Sequence, residues 1–159
     1  MPYNVQQLSD RQDILDLTAQ YNHLVDTGNA VCYAELFVPE GEFDVVGHVV
    51  YRGRDQLTGL IVRADTAGDL KPVHITTDHY IEVSGDTARQ RCRLITCVRS
   101  TDGSRNDLVN TGWFHDELRR TPDGWRFVRR RAEVDLSIGA TFAKLGIDTA
   151  LSGAGGHAA

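Results

Sequence analysis

The sequence has no long apolar run. The longest stretches, such as Val45-Val46 and Val49-Val50-Tyr51, fall far short of the ~20 residues that cross a bilayer, so no membrane association is expected. The opening MPYNVQQLSDRQ has no basic region followed by an apolar run, so no secretory signal is read there. Positive charge is not in excess: 17 Lys and Arg stand against 22 Asp and Glu, a net charge of −5, which argues against a nucleic-acid partner. Cysteine is scarce. Cys32, Cys92 and Cys97 are odd in number and lack zinc-like spacing. Cys92 and Cys97 fall on an expected strand with their side chains on opposite faces, and all three are read as reduced, small, buried residues of a cytoplasmic protein. There is no HExxH or clustered carboxylate to hold a metal. There is also no GxGxxG or Walker loop, and no serine or cysteine nucleophile signature. Neither a metal nor a cofactor is expected.

What is present is an ordinary globular balance, 41% hydrophobic and 25% charged over 159 residues, enough for one domain with a substantial core. Ser9-Asp10-Arg11-Gln12 fits a capping box with Ser9 as N-cap. Ile14, Leu17, Tyr21, Leu24 and Val25 then recur at helical spacing, and Gly28 stops the run, predicting a first helix from Asp10 to Thr27. A short helix comes next, from Ala30 to Phe37, ending before Pro39. EFDVVGHVVYRG reads as two short strands around Gly47. Gly53-Arg54-Asp55-Gln56-Leu57 opens a third helix, and 65–72 is a loop. Long strands are then predicted over 73–84, 86–100, 107–120 and 124–137, separated by turn signals such as Thr121-Pro122-Asp123-Gly124. Helices first and an antiparallel meander afterwards make an α+β fold, with one sheet face on the helices and a concave pocket between them. The single domain is expected over 1–140. Residues 141–159 form a C-terminal extension whose small, Gly-rich end is expected to be mobile.

Two residues stand out chemically. Asp26 ends the helical segment YNHLVDTG, and His74 opens the strand HITTDHYIEV. A carboxylate at the negative pole of a helix dipole costs a few tenths to ~1 kcal/mol. A nearby imidazole would offset that, or would share a proton with the carboxylate as a general base. The plainer alternative is a solvated helix-end aspartate and a hydrogen-bonded strand histidine. On an unbroken strand His79 faces away from His74, so the two are not expected to share a metal. Strand parity places Arg130 opposite Arg129 and Arg131 and beside Val128 and Ala132. Trp125 and Phe127 fall on the other face and also call for burial, so parity alone does not settle which face is inside.

The element order, together with YNHLVDTG, GRDQL, H-x3-D-x2-IEVSGDTA and NTGWFHDELRRTPDGWRF, resembles the SnoaL-like branch of the nuclear transport factor 2-like superfamily over residues 8 to 137. It is most similar to the group holding scytalone dehydratase, bile-acid dehydratase and hexachlorocyclohexane dehydrochlorinase. The resemblance implies a cone-shaped α+β barrel, helices packed on a strongly curved sheet, with an Asp–His dyad in its pocket. It puts the dyad on Asp26 and His74, an arginine on Arg130 and a tyrosine on Tyr21. A second aspartate of the bile-acid dehydratase aligns with Thr96, and its late arginine aligns near Val134, which speaks against a bile-acid-like substrate.

Such residues suit proton abstraction next to an activating group, followed by loss of a leaving group. His74 would be the base and Asp26 its orienter. Arg130 would stabilise a developing anion, and Tyr21 would donate a hydrogen bond to a carbonyl oxygen, unless it is simply a core tyrosine. Thr96, Val128 and Trp113 are the candidate substrate-lining positions. The expected partner is a small molecule. The alternatives are a polyketide cyclase, an epoxide hydrolase drawing a second carboxylate from Asp44 or Asp78, and a non-catalytic binding or assembly subunit. Apolar residues of both parities from Leu108 to Leu118 suggest cover on both sheet faces, hence a homodimer or homotrimer, most simply a dimer on the outer face.

Overall fold

A computed structural model describes residues 3–65, 69–137 and 139–141. Helix α1 spans Val5–Thr27. It starts a turn earlier than the Ser9 motif suggested, because Asn4 and Gln7 form the same kind of box sooner. Asn4 Oδ1 accepts from the Gln7 N–H at 2.8 Å, and Gln7 Oε1 accepts from the Asn4 N–H at 3.0 Å. Gly28, at φ 73°, closes the helix in the left-handed region that glycine adopts freely. The buried stripe of α1 is Asp10, Ile14, Leu17, Thr18 and Tyr21.

Helix α2 is Ala30–Glu35 and strand β1 is Phe37–Val45. Pro39 therefore lies inside a strand, not after a helix. It is tolerated there because four residues of β1, Val38 to Gly41, stand against the single Val128 of the neighbouring strand, where no ladder hydrogen bond is required. Gly41 is needed in that bulge: a Cβ would meet Phe37 Cβ at 2.8 Å. The remaining elements are β2 Val49–Arg52, α3 Gly53–Asp65, β3 Leu70–Ser84, β4 Thr87–Ser100, β5 Asn106–Thr121 and β6 Gly124–Val134. They form one six-stranded sheet in the order β2-β1-β6-β5-β4-β3, antiparallel throughout except for the parallel β1–β6 pair. The fold class is the α+β expected. The sheet stays open, with β2 and β3 as its edges. Among the described residues no helix is long and apolar enough to cross a membrane.

The core lies between the sheet and the helices. Ile14, Leu17 and Tyr21 of α1, Tyr33 of α2 and Leu57 and Ile61 of α3 pack on Phe37, Cys92, Leu94, Phe114, Leu118, Trp125 and Phe127. Bulges settle the parity conflict in β6. Leu118 pairs with Phe127 and Glu117 with Arg129, so Val128 is an extra residue. Trp125 and Phe127 face the helices before it, and Arg130 and Ala132 face them after it. A second bulge, at Asp78 (φ 55°), lies between Thr77 and Tyr80, and a third leaves Val109 extra between Leu108 and Asn110. The third explains the mixed parity of Leu108 to Leu118 without cover on both faces: Val109 is buried while Leu108 is 51% exposed.

Candidate active site

The C-terminal turn of α1 comes to rest against edge strand β3. There Asp26 Oδ1 lies 2.7 Å from His74 Nδ1, and the backbone N–H of His74 donates to Asp26 Oδ1 and Oδ2 at 3.2 and 3.0 Å. One carboxylate thus caps both the backbone and the ring of one residue. The edge of the sheet makes this possible, since an edge N–H has no strand partner to claim it. Both side chains are mostly enclosed, 17% exposed for His74 and 22% for Asp26. With Nδ1–H donating to the carboxylate, the lone pair of a neutral imidazole sits on Nε2, which has no hydrogen-bond partner among the described residues.

A second contact lies one turn back. Asn22, four residues before Asp26 on the same helix face, donates through Nδ2 to Thr76 Oγ1 at 2.9 Å, and Thr76 is two residues beyond His74 on the same strand face. Thr96 pairs with His74 in register and shares its face. These polar groups sit against the apolar interior represented by Leu94, which pairs with Thr76.

Arg130 is in the middle of the core, 0% exposed. Its Nε and Nη2 each donate to Asp116 at 2.8 Å, and its guanidinium lies over the rings of Tyr21, Phe114 and Phe127 at 4.1 to 4.2 Å. Burial works against the charge, but the Asp116 carboxylate outweighs it and holds Arg130 above its ordinary pKa. Gln90 completes the cluster, donating to Asp116 Oδ2 at 2.8 Å and to Thr18 Oγ1 at 2.9 Å. Tyr21 packs 5.2 Å from Tyr33 and 5.6 Å from Phe114. Burial pushes its hydroxyl up to about 12, with Arg130 pulling the other way. Tyr21 keeps its proton at neutral pH and suits hydrogen-bond donation. The structure thus brings Asp26, His74 and Thr96 together, and it gathers Arg130 and Tyr21 around Asp116.

The other candidates fall elsewhere. Trp113 is on the outer sheet face, between Arg93 at 3.9 Å and Arg91 at 4.6 Å from its ring. Val128 also leaves the interior, because the bulge turns it toward a groove it shares with Arg89, Glu117 and Arg119. The Asp78 bulge overturns the expected opposition of the two β3 histidines. It turns His79 inward, onto the face of His74, where its Nδ1 is 3.3 Å from Gln90 Oε1. Asp44 lies on the outer face against Arg129, and Asp78 is exposed. Cys32 is exposed, unlike the buried Cys92, whose thiol burial pushes up to about 12. Sequence reasoning missed Asp116, Gln90 and Asn22. Asp116 had a signal: it shares strand parity with Phe114 and Leu118, so its carboxylate had to be inside and in need of a partner.

A helices-first α+β cone, with an aspartate at the end of α1 touching a histidine on the edge strand, defines a recognisable class. The chain belongs to the SnoaL-like domain family, whose signature matches residues 6–131. A nuclear transport factor 2-like protein with a cystatin-like fold from Novosphingobium aromaticivorans is 33% identical, with a TM-score of 0.73 over 86% of this chain and 89% of its own. An uncharacterised protein of Mycobacterium tuberculosis, Rv2910c, is 28% identical over 137 residues, 80% of this chain and 86% of its own. A candidate scytalone dehydratase from Novosphingobium aromaticivorans shares the fold at 21% identity, with a TM-score of 0.71 over 81% of this chain and 86% of its own.

Proposed function

We propose that the protein is a cofactor-independent lyase or isomerase acting on a small, apolar, oxygenated molecule, with His74 as general base and Asp26 as its orienting carboxylate. The observation that carries this reading is the 2.7 Å Nδ1–Oδ1 contact together with an Nε2 left free for substrate. Asp26 fixes the tautomer and stabilises the imidazolium formed when Nε2 takes a proton. In an elimination that proton comes from the carbon beside a carbonyl. The C–H electron pair becomes the new C=C bond, and the leaving group departs from the next carbon with the bonding electrons. In an isomerisation the proton returns at a different carbon. A candidate scytalone dehydratase among the proteins that share the fold is in keeping with the first course.

The test is a panel of cyclic β-hydroxy ketones, monitored by the absorbance of the conjugated product. His74→Ala and Asp26→Asn should each lower turnover ~10²-fold or more, with melting temperatures close to wild type. Full activity of His74→Ala on a turned-over substrate would end this reading.

A second reading, water addition to an epoxide, has one specific observation in its favour: a carboxylate held bidentately by an arginine, Asp116 with Arg130. It uses neither Asp44 nor Asp78. It predicts hydrolysis of small cyclic epoxides that survives in His74→Ala and is lost in Asp116→Asn under conditions where that variant remains folded.

A further inference from the structure

Among the described residues, four buried side-chain polar atoms have no hydrogen-bond partner: Tyr33 Oη, Arg129 Nε, Arg130 Nη1 and Asn22 Oδ1. The two guanidinium nitrogens can only donate, and a tyrosine hydroxyl can do either. Asn22 Oδ1 is the one of the four that can only accept. It also differs in place. Tyr33 and Arg130 sit in the aromatic core and Arg129 on the outer sheet face. Asn22 lies one turn before Asp26, about 6 Å along the helix from the dyad.

The side chain is not loose. Asn22 Nδ2 donates to Thr76 Oγ1 at 2.9 Å, which fixes the plane of the amide and with it the direction of Oδ1. Its neighbours along the seam between α1 and β3 are satisfied. Toward the C-terminus, both oxygens of Asp26 are held by His74. Toward the N-terminus, Thr18 Oγ1 donates to the Ile14 carbonyl at 3.0 Å and accepts from Gln90 at 2.9 Å. Gln90 Oε1 in turn meets His79 Nδ1 at 3.3 Å. Thr18, Asn22 and Asp26, four residues apart, thus make one polar stripe, and the acceptor left without a donor is the one beside the dyad. A carbonyl oxygen buried without a donor lowers stability, so the complex gains when a ligand supplies one.

On the reading in which the dyad faces a small oxygenated substrate, we propose that Asn22 is a substrate-binding residue. Its Oδ1 accepts a hydrogen bond from a hydroxyl group of that substrate and so selects hydroxylated molecules over their ethers and deoxy counterparts. A site built to pair a hydroxyl rejects the analogue that lacks it, because its own polar group is then left unpaired. The hydroxyl held here is not the leaving group. An oxygen that departs with the bonding electrons gains negative charge and needs a donor, which a carbonyl oxygen cannot be. The substrate therefore carries a retained hydroxyl in addition to the carbonyl that acidifies its C–H bond.

The test reads binding and stands apart from turnover. The probes are 4-hydroxycyclohexanone and para-hydroxyacetophenone, each beside its methoxy and unsubstituted counterparts, none with a leaving group next to the acidic carbon. They are titrated into the full chain and followed by backbone amide chemical shifts. The wild type should bind at least one hydroxy ketone about tenfold more tightly than both of its counterparts. Asn22→Leu should bring the three affinities within about twofold of one another. Asn22→Asp keeps an acceptor oxygen and should keep the preference, which also covers a leucine variant that folds poorly. Full turnover in His74→Ala would end the general-base reading and leave this preference in place. Three outcomes would overturn the proposal: equal binding of all counterparts by the wild type, as a water on Oδ1 would give; a preference that survives in Asn22→Leu; or no binding of either hydroxy ketone at millimolar concentration.

Discussion

The carboxylate of Asp26 is held by one residue through three contacts, two from the His74 backbone N–H and one from its ring, and only the ring contact disappears with the His74 side chain. Removing either leaves the other without its function, so the double variant His74→Ala/Asp26→Asn should turn over little more slowly than the worse single variant. Additive losses, measured as kcat on one substrate, would show that the two residues act separately. Arg130 and Asp116 differ in kind. Both side chains are 0% exposed, and a buried pair broken on one side typically costs ~3–5 kcal/mol, because the remaining charge is stranded. Asp116→Ala should therefore unfold at clearly lower denaturant, whereas His74→Ala should not. A chemical-denaturation series of the two variants side by side separates the structural pair from the candidate base. Asp26 and His74 were legible in the sequence because a helix-end acid and a strand histidine carry a chemical signature by themselves. The core position of Arg130 was not, because its face depended on whether an extra residue lay at Val128.

At the scale of elements, the legible features are those that period and punctuation dictate. The helix stop at Gly28, the start of α3 at Gly53 and the four long strands all sit within a few residues of their turn signals. The irregularities escaped. Bulges at Asp78, Val109 and Val128 each reverse the facing of the residues beyond them, and no alternation pattern announces them. One consequence is that α1 and β3 meet through two polar contacts a turn apart, Asn22–Thr76 and Asp26–His74. The first fixes the same helix face against the same strand one turn before the second, a geometry that would hold the helix end in line. Thr76→Val should lower kcat several-fold and move the ring-proton NMR signal of the His74 Nδ1–H, while Thr76→Ser, which keeps the hydroxyl, restores both. An unmoved signal in Thr76→Val would show the two contacts to be independent.

Over the whole molecule, α1 is fastened to the sheet at both ends. Its last turn holds β3 through Asp26. Its second turn holds the far ends of β5 and β6 through Asp10, which lies 2.7 Å from Arg120 Nη1 and accepts from the Trp125 indole N–H at 3.4 Å. Arg120 in turn reaches Asp86 at 3.0 Å, in the β3–β4 turn. The hydrogen bond from Arg120 holds the Asp10 carboxyl below its ordinary range, against burial, which pushes the other way. A carboxyl whose folded pKa lies below its unfolded one stabilises the fold at every pH above the unfolded value, near 3.9 for aspartate. That contribution is lost as pH falls through the lower folded value. Asp10→Asn keeps the shape but gives up the charge, so at neutral pH it should unfold more easily, by ~1–3 kcal/mol for a lost hydrogen bond to a charged group. The gap from wild type should hold level down to about pH 5 and close below pH 4. Urea midpoints of both proteins across that interval measure it. A gap that persists unchanged into the acid range would mean that Asp10 contributes through packing and not through its charge.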